Sequence, residues 1–513
     1  MLQTYQTKLR NVELSNCLTS DRYLQEYSKF FGMVERKLFV QSHIHGQSSA
    51  SLKKAFSKNY GLTARQFNSL RIQLDGKVSS FIEKRQVELE EVERKIQYLR
   101  KFIDKKTKQK EKLHEKILKM KQTHPRFLKQ LKKYRYLKFV LHQKKRRLRT
   151  MEQRFTQLNQ DREHNKIRIC FGSKRLFHKQ FYLDANGYAT FQDWKKDWQD
   201  ARSYQFMVVG SKDESFGNQS ATYDLENNLR LRVADQFVEK YGKYITLPNV
   251  LFSYGQDQLD QAKISYQGIT KGGKPQRYFK AISYRFIKKE KGWYVNATVD
   301  IENPRVGTSN QNGLIGVDLN AGFLSICEID RFGNPINEWK ISVPMYARNK
   351  NQIKASLSNA VQEIVHYAIL VQKNIVIESL NFAKKKTSLR EMGAKYARML
   401  SGFAYASFKS IVESKAKKSG VYVQSVYPAY TSQIGHMKFM ARYGLSPHGA
   451  AACMIARRGY RFKVEQPKYD SILSFPKNFN KEKSNFSNWK SITTHLKKNY
   501  SFHDKIELLK ADH

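Results

Sequence analysis

Leu314-Ile315-Gly316-Val317-Asp318-Leu319-Asn320 is an apolar run the width of one strand, closed by a carboxylate. Further along the chain, Asn374-Ile375-Val376-Ile377-Glu378-Ser379-Leu380 repeats the design. Short apolar runs between polar residues read as strands buried on both faces, inside a sheet flanked by helices. One strand-end acid is commonly a cap or a turn residue. Two of them, delivered by two buried strands, suit a hard divalent cation, because Mg²⁺ prefers carboxylate oxygens and keeps several of its waters. Phosphodiester hydrolysis is commonly run by such cations.

Around these strands, residues 313 to 462 read as strand, strand, strand, helix, strand, helix, strand, helix. The strands at 325–329 and 338–343 are joined by the turn Asp330-Arg331-Phe332-Gly333-Asn334-Pro335. The stretch 351–373 is helical, and Ala404, Phe408, Ile411 and Val412 share one face of the next helix. A strand at 421–426 and a helix at 445–458 complete the set. A strand hairpin followed by alternation predicts a mixed sheet with helices packed on it. The last helix opens as Leu445-Ser446-Pro447-His448-Gly449-Ala450-Ala451-Ala452. Its small residues let it lie close on the sheet, and Pro447 suits a first turn. His448 is the third candidate site residue, since imidazole binds metal or carries a proton near neutral pH; a capping or packing role is the alternative. Glu391, Glu413 and Asp470 are lesser candidates for a third acid, with Glu413 reading as solvated. The segment 463–513 is rich in Lys, Asn and Ser and is expected to have low order, with one helix at 503–511.

Upstream, residues 1–10 read as one strand and 20–160 as helical. Val92, Ile96, Leu99 and Ile103 fall on one helix face, and Leu113, Ile117 and Met120 resume the stripe. Pro125 interrupts it, and the basic helix that follows carries Lys144-Lys145-Arg146-Arg147, either a solvated face or a phosphate contact. From about 166 the period changes. Stretches at 166–170, 204–209, 229–233, 244–252, 278–286 and 293–300 are short and β-branched or aromatic, which predicts a small β-barrel or sandwich over 166–305.

The totals constrain partners. The 513 residues suggest two to four domains, and 40% hydrophobic residues are enough for packed cores. With 93 Lys and Arg against 45 Asp and Glu the net charge is +48, and a fold so charged repels itself unless a polyanion neutralises it. Nucleic acid is the expected polyanion. A membrane surface is disfavoured because the basic residues are spread along the chain and no apolar run approaches the ~20 residues a span needs. Cys17, Cys170, Cys327 and Cys453 form no CxxC pair, so neither a disulfide framework nor a zinc site is expected. The beginning Met1-Leu2-Gln3-Thr4-Tyr5 lacks the apolar core of a signal peptide, and a cytoplasmic protein is expected.

The two acidic strands, the segment Val426-Tyr427-Pro428-Ala429-Tyr430-Thr431-Ser432-Gln433, and the Ala-rich helix ending in Ile455-Ala456-Arg457-Arg458 resemble the RuvC nuclease of TnpB proteins. These are transposon-encoded RNA-guided nucleases related to type V CRISPR effectors. The likeness covers roughly 313–460; upstream, only the layout is similar. It implies an α+β multidomain chain: a first wedge strand at 1–20, a helical recognition lobe at 21–160, a wedge-like β-barrel at 161–310, a RuvC/RNase H-like domain at 311–462 and a basic tail at 463–513. It implies Asp318 and Glu378 as the first two metal-binding acids, with His448 at or near the place of the third. The Mg²⁺ (or Mn²⁺) would be joined by a guide RNA and target double-stranded DNA. Two departures stand out. The four-cysteine zinc module usual after Thr-Ser-Gln is missing, and a histidine replaces the third acid; both traits resemble a cysteine-less TnpB-related subgroup. Asn381-Phe382-Ala383-Lys384-Lys385-Lys386, with Lys395 and Arg398, resembles the lid over the nuclease cleft, where basic residues would hold phosphates and Phe382 or Tyr396 would stack a base. Arg457 and Arg458 join them as nucleic-acid contacts.

The expected function is RNA-guided DNA cleavage by Mg²⁺-dependent hydrolysis. The alternatives are a nuclease-inactive RNA-guided DNA-binding protein, acting as repressor or recruiter, and a guide-independent RNase H-fold transposase or resolvase.

Overall fold

The computed structural model describes residues 1–9, 18–269, 273–302, 304–320, 322–345, 348–379, 402–460, 465–467, 476 and 482–511. It is a mixed helical and sheet protein of two compact units, Met1–Glu302 and Asn303–His513.

In the first unit, β1 (Leu2–Lys8) is followed by α1 (Leu18–Phe39), α2 (Ser49–Tyr60), α3 (Ala64–Leu118) and α4 (Phe127–Glu163). Two short helices come next, α5 (Lys174–Lys179) and α6 (Phe191–Ala201). Then come β2 (Gln205–Val208), β3 (Ala221–Tyr223), β4 (Leu229–Arg232), α7 (Val238–Tyr241), β5 (Tyr244–Leu247), α8 (Gln256–Ala262), β6 (Tyr266–Ile269), β7 (Pro275–Tyr278), β8 (Ile282–Lys289) and β9 (Gly292–Asp300). The predicted stripe on α3 is real: Val92, Ile96, Leu99 and Ile103 are buried, and Leu89, Val92 and Ile96 pack with Leu158 of α4. Arg100–Glu152 at 2.7 Å and Arg154–Glu88 at 2.8 Å bridge the same two helices. A capping box at Thr63 and Gln66 starts α3.

Of the expected small barrel or sandwich, the barrel is not found among the described residues. The strands make an antiparallel sheet in the order β1-β9-β8-β2, a second sheet β3-β4-β5 and a ribbon β6-β7, and among the described residues none of these closes into a barrel. β3, β4 and β5 are only three or four residues long, too short for the staggered pairing that closure requires. Helix α1 fills the space instead: Tyr23, Tyr27 and Phe31 pack into one core with Phe206, Phe286 and Trp293. The stretch 166–170, expected as a strand, is irregular.

The second unit is built on β10 (Ser309–Leu319), β11 (Phe323–Ile329), β12 (Pro335–Ser342), α9 (Lys350–Leu370), β13 (Lys373–Glu378), α10 (Gly402–Lys418), β14 (Val423–Val426), α11 (Thr431–Gly435) and α12 (Pro447–Gly459). Strand order is β12-β11-β10-β13-β14. The first three are mutually antiparallel, while β13 and β14 run parallel to β10. Alternation sorts the side chains. Ile315, Val317, Ile375 and Ile377 meet Leu357, Ile364, Phe408 and Val412 of α9 and α10 on one face. Leu314, Cys327, Val376 and Val426 meet Ala452, Cys453, Ile455 and Ala456 of α12 on the other. The segment expected to have low order carries two helices, α13 (Asn485–Asn499) and α14 (Phe502–Ala511). Trp489, Ile492 and Leu496 of α13 are buried with Ile434, Met437 and Met454. Among the described residues, no helix is long and apolar enough to cross a membrane.

Candidate active site

Strand parity decides which way the two acids face. Asp318 is two residues beyond Gly316, whose position lies directly under α12: a Cβ there would overlap the Ala452 carbonyl oxygen. Glu378 is two residues beyond Val376, which packs against the same helix. Both carboxylates therefore leave the sheet on the α12 side. The register sets them side by side, since Val317 pairs with Ile377 in the parallel ladder and the acids are the next residues on each strand. Asp318 also pairs with Ser325, Ser325 with Lys340, and Glu378 with Val426. Lys340, Ser325, Asp318, Glu378 and Val426 thus form one row across the five strands.

Helix α12 delivers the third residue. Its N-cap is Ser446, whose hydroxyl accepts from the Gly449 amide at 3.0 Å. Glu338 of β12 accepts from the Ser446 amide at 2.9 Å and from its hydroxyl at 3.3 Å. This anchor leaves no room at Gly449, where a Cβ would overlap the Glu338 carboxylate. The first turn is held from behind by His436, whose Nε2–H donates to the Pro447 carbonyl at 3.0 Å, while its Nδ1 accepts from Lys505 of α14 at 3.2 Å. So fixed, His448 places Nδ1 4.0 Å from Asp318 Oδ2, with its ring edge-on to Phe323 at 5.0 Å.

The electrostatics follow from burial. Desolvation pushes Asp318 up to about 6, and the Asn320 amide, donating to Oδ2 at 3.1 Å, only partly offsets it. Burial, and then the charge of Lys340, lower His448 below its ordinary value, so it is largely neutral at neutral pH. Glu378 accepts from the Thr431 hydroxyl at 2.5 Å. Arg458 lies within reach of the Glu378 charge, but its guanidinium donates to the backbone carbonyls of Tyr427 and of Ala429, the latter at 2.6 Å.

Two adjacent carboxylates, one of them desolvated, fit the chemistry of a hard divalent cation. Among the described residues, no group of three or more His, Cys, Asp or Glu is arranged to hold a metal ion. Asp318, Glu378 and His448, expected together as metal ligands, therefore do not form a three-ligand group, and the two carboxylates are the residues that would hold Mg²⁺.

Other candidates fall elsewhere. Arg457 is held by Glu465 at 2.8 Å and donates to the Gly333 carbonyl at 2.6 Å, so its contacts are internal. Glu413 pairs with Lys409 at 3.7 Å on the surface of α10. Lys145, Arg146 and Arg147 are exposed on α4, and Lys144 sits 5.2 Å over the Phe102 ring. Lys384, Lys385, Lys386, Lys395 and Arg398, like Phe382, Tyr396, Glu391 and Asp470, lie outside the described residues. Sequence reasoning assigned no role to Thr431, Asn320 or Glu338. Only the place of Thr431, just past a buried strand, pointed toward the site.

No family model matches the chain, and no curated protein matches it in sequence. Among solved structures, T. thermophilus RuvC in complex with Holliday junction substrate is similar at 14% identity, over 28% of this chain and 89% of that one, with a TM-score of 0.21. The Cas12f1-sgRNA-target DNA complex is similar at 11% identity, over 90% of this chain and 100% of that one, with a TM-score of 0.25. Both scores are low, and the reading of the site rests on its own geometry.

Proposed function

We propose that the second unit is a divalent-metal phosphodiesterase of the RuvC/RNase H-like kind, and that the chain as a whole is an RNA-guided DNA endonuclease. The observation that carries the proposal is the pairing of Asp318 and Glu378 on adjacent parallel strands, on one face, beneath the helix that presents His448. Asp318 and Glu378 would hold Mg²⁺, which when bound would lower the pKa of a water and polarise the scissile phosphate. Thr431 fixes the Glu378 carboxylate, and Asn320 fixes that of Asp318. The neutral His448 would accept a proton from the attacking water. The net charge of +48 supports a polyanionic guide and target.

The test is to purify the chain with its bound nucleic acid, sequence that nucleic acid, and assay Mg²⁺-dependent cleavage of a matching duplex. Co-purified RNA and cleavage lost in Asp318→Ala and Glu378→Ala are expected. His448→Ala should slow cleavage while leaving DNA binding intact; wild-type rates in that variant would remove the histidine from the chemistry. A histidine, His448, where a third acid is expected, with no three-ligand group among the described residues, favours one second reading, a guided DNA-binding protein without cleavage. Bound RNA with no cutting in any divalent metal would establish it, and cutting without RNA would favour a guide-independent enzyme.

A further inference from the structure

The first unit holds a cavity of about 550 Å³ that the proposed cleavage site does not involve. Its wall is aromatic on one side. Phe177 and Trp198 meet at 5.5 Å between ring centroids, and Trp198 stacks on Trp194 at 5.8 Å. Trp194 is buried and donates through Nε1 to the Leu176 carbonyl at 2.8 Å, which ties α5 to α6 and holds both rings in place. Gly172, at φ +105°, closes against Trp198 and Arg202. Phe177 remains exposed at the rim.

Cationic residues share the lining. Arg36, Arg202 and Lys174 line the cavity. Arg36 reaches only the Arg202 carbonyl, at 3.4 Å, while the Arg202 guanidinium lies 5.1 Å over the Trp198 ring. The neighbouring acid is already engaged: Glu35 takes Lys77 at 2.6 Å and Gln73 at 3.1 Å. Arg168, also in the lining, is paired with Asp161 at 2.8 Å. Among the described residues neither Arg36 nor Arg202 has a carboxylate partner. Burial, and then the charge of Arg202, lower the pKa of Arg36. Two half-buried guanidiniums that repel each other call for an anion between them. The exposed Phe177 ring beside them suits a flat base.

We propose that this cavity binds one unstacked nucleotide, with its base against Phe177 and its phosphate between Arg36 and Arg202. A volume of this size takes a ligand of that class. The nucleotide comes from a single-stranded segment of bound nucleic acid: Phe177 and Lys174 are exposed, so the mouth is open to a continuing strand.

The test uses the full chain stripped of nucleic acid at high salt, a fluorescein-labelled oligoribonucleotide of mixed sequence, and AMP. Phe177→Ala is expected to weaken oligonucleotide binding by about 5- to 100-fold, as loss of one base stack does. Arg36→Gln, which keeps a donor for the Arg202 carbonyl, is expected to weaken it and to flatten the dependence of log affinity on log salt by ~0.7, the single-strand value for one phosphate contact. Melting curves matching wild type show that neither variant has merely unfolded. Loss of oligonucleotide binding identifies a strand as the source, and loss of AMP binding alone identifies a free nucleotide; either supports the pocket. Wild-type affinities for both probes, with an unchanged salt slope, overturn it. The Mg²⁺-dependent shift in melting temperature should be unchanged in Phe177→Ala, so failure of the pocket and failure of the cleavage site are separate results.

Discussion

Replacing Asp318 with asparagine should stabilise the second unit while removing its chemistry. Burial holds the Asp318 carboxyl near 6 against an ordinary 3.8. Below the lower value both folded and unfolded chains carry the proton, and the group has no effect on stability. Between the two values the folded chain binds more protons, so stability falls as pH rises. Above about 6 both states are ionised and the fold bears the whole penalty, about two pKa units at 1.36 kcal/mol each, or roughly 3 kcal/mol. Asn keeps the shape without the charge. The melting transition of the second unit in Asp318→Asn should therefore exceed wild type by roughly 6–12 °C at alkaline pH, as an upper bound. The advantage should vanish below about pH 4.

The same reasoning fixes the effect of metal. A cation held by Asp318 and Glu378 would offset the penalty in the wild type, and Mg²⁺ at about one hundred times its dissociation constant would add ~2.7 kcal/mol. Asp318→Asn lacks one of the two carboxylates and should gain much less. The assay is thermal unfolding of both proteins, with and without Mg²⁺, at acidic and alkaline pH. Equal stability of the two proteins at alkaline pH, or an equal gain from Mg²⁺, would refute the reasoning.

Other substitutions probe the parts around the acids. Thr431→Val removes the hydroxyl that donates to Glu378 and should weaken metal affinity about 10- to 100-fold, with cleavage recovering as Mg²⁺ is raised. Gly316→Ala puts a methyl into the Ala452 carbonyl and should cost about 3 kcal/mol or more, read as a lower urea midpoint or as insoluble protein. Lys373→Met strands Glu328, its buried partner at 2.6 Å, and should cost about 3–5 kcal/mol; adding Glu328→Gln should recover part of the loss in the same urea melts.

The sheet was legible because its central strands are apolar on both faces, a pattern that few other elements produce. That Asp318 and Glu378 would be neighbours followed less directly: it required β13 to return parallel beside β10, and the intervening helix α9 makes that return. The barrel misled because a run such as 244–252 reads as one long strand, while only Tyr244–Leu247 pairs. The helix Asn485–Asn499 was hidden by composition. Its stripe of Trp489, Ile492 and Leu496 falls at helical spacing, but Lys, Ser and Asn surround it. The ion pair of Arg457 was hidden for a related reason. Its partner Glu465 sits just past the helix, in a stretch that composition marked as tail. A basic residue counted as surplus charge was half of an ion pair. Thr431 was overlooked because a hydroxyl carries no charge signal; its role appears only when β14 ends beside Glu378.

The charge count at the site bears on the histidine. With His448 largely neutral, Asp318 and Glu378 supply at most two negative charges, and the burial of Asp318 makes the second of them reluctant. A site with three acids attracts a cation more strongly but repels the phosphate more strongly as well. Here Lys340 lies in the same row of the sheet and helps keep His448 unprotonated, so the imidazole is available to accept a proton and adds no positive charge that would compete for the acids. The trade is weaker metal retention for easier approach of a polyanion. A chain of net charge +48 draws the polyanion in but repels free cations, so metal retention would depend on the phosphates that complete the metal's shell.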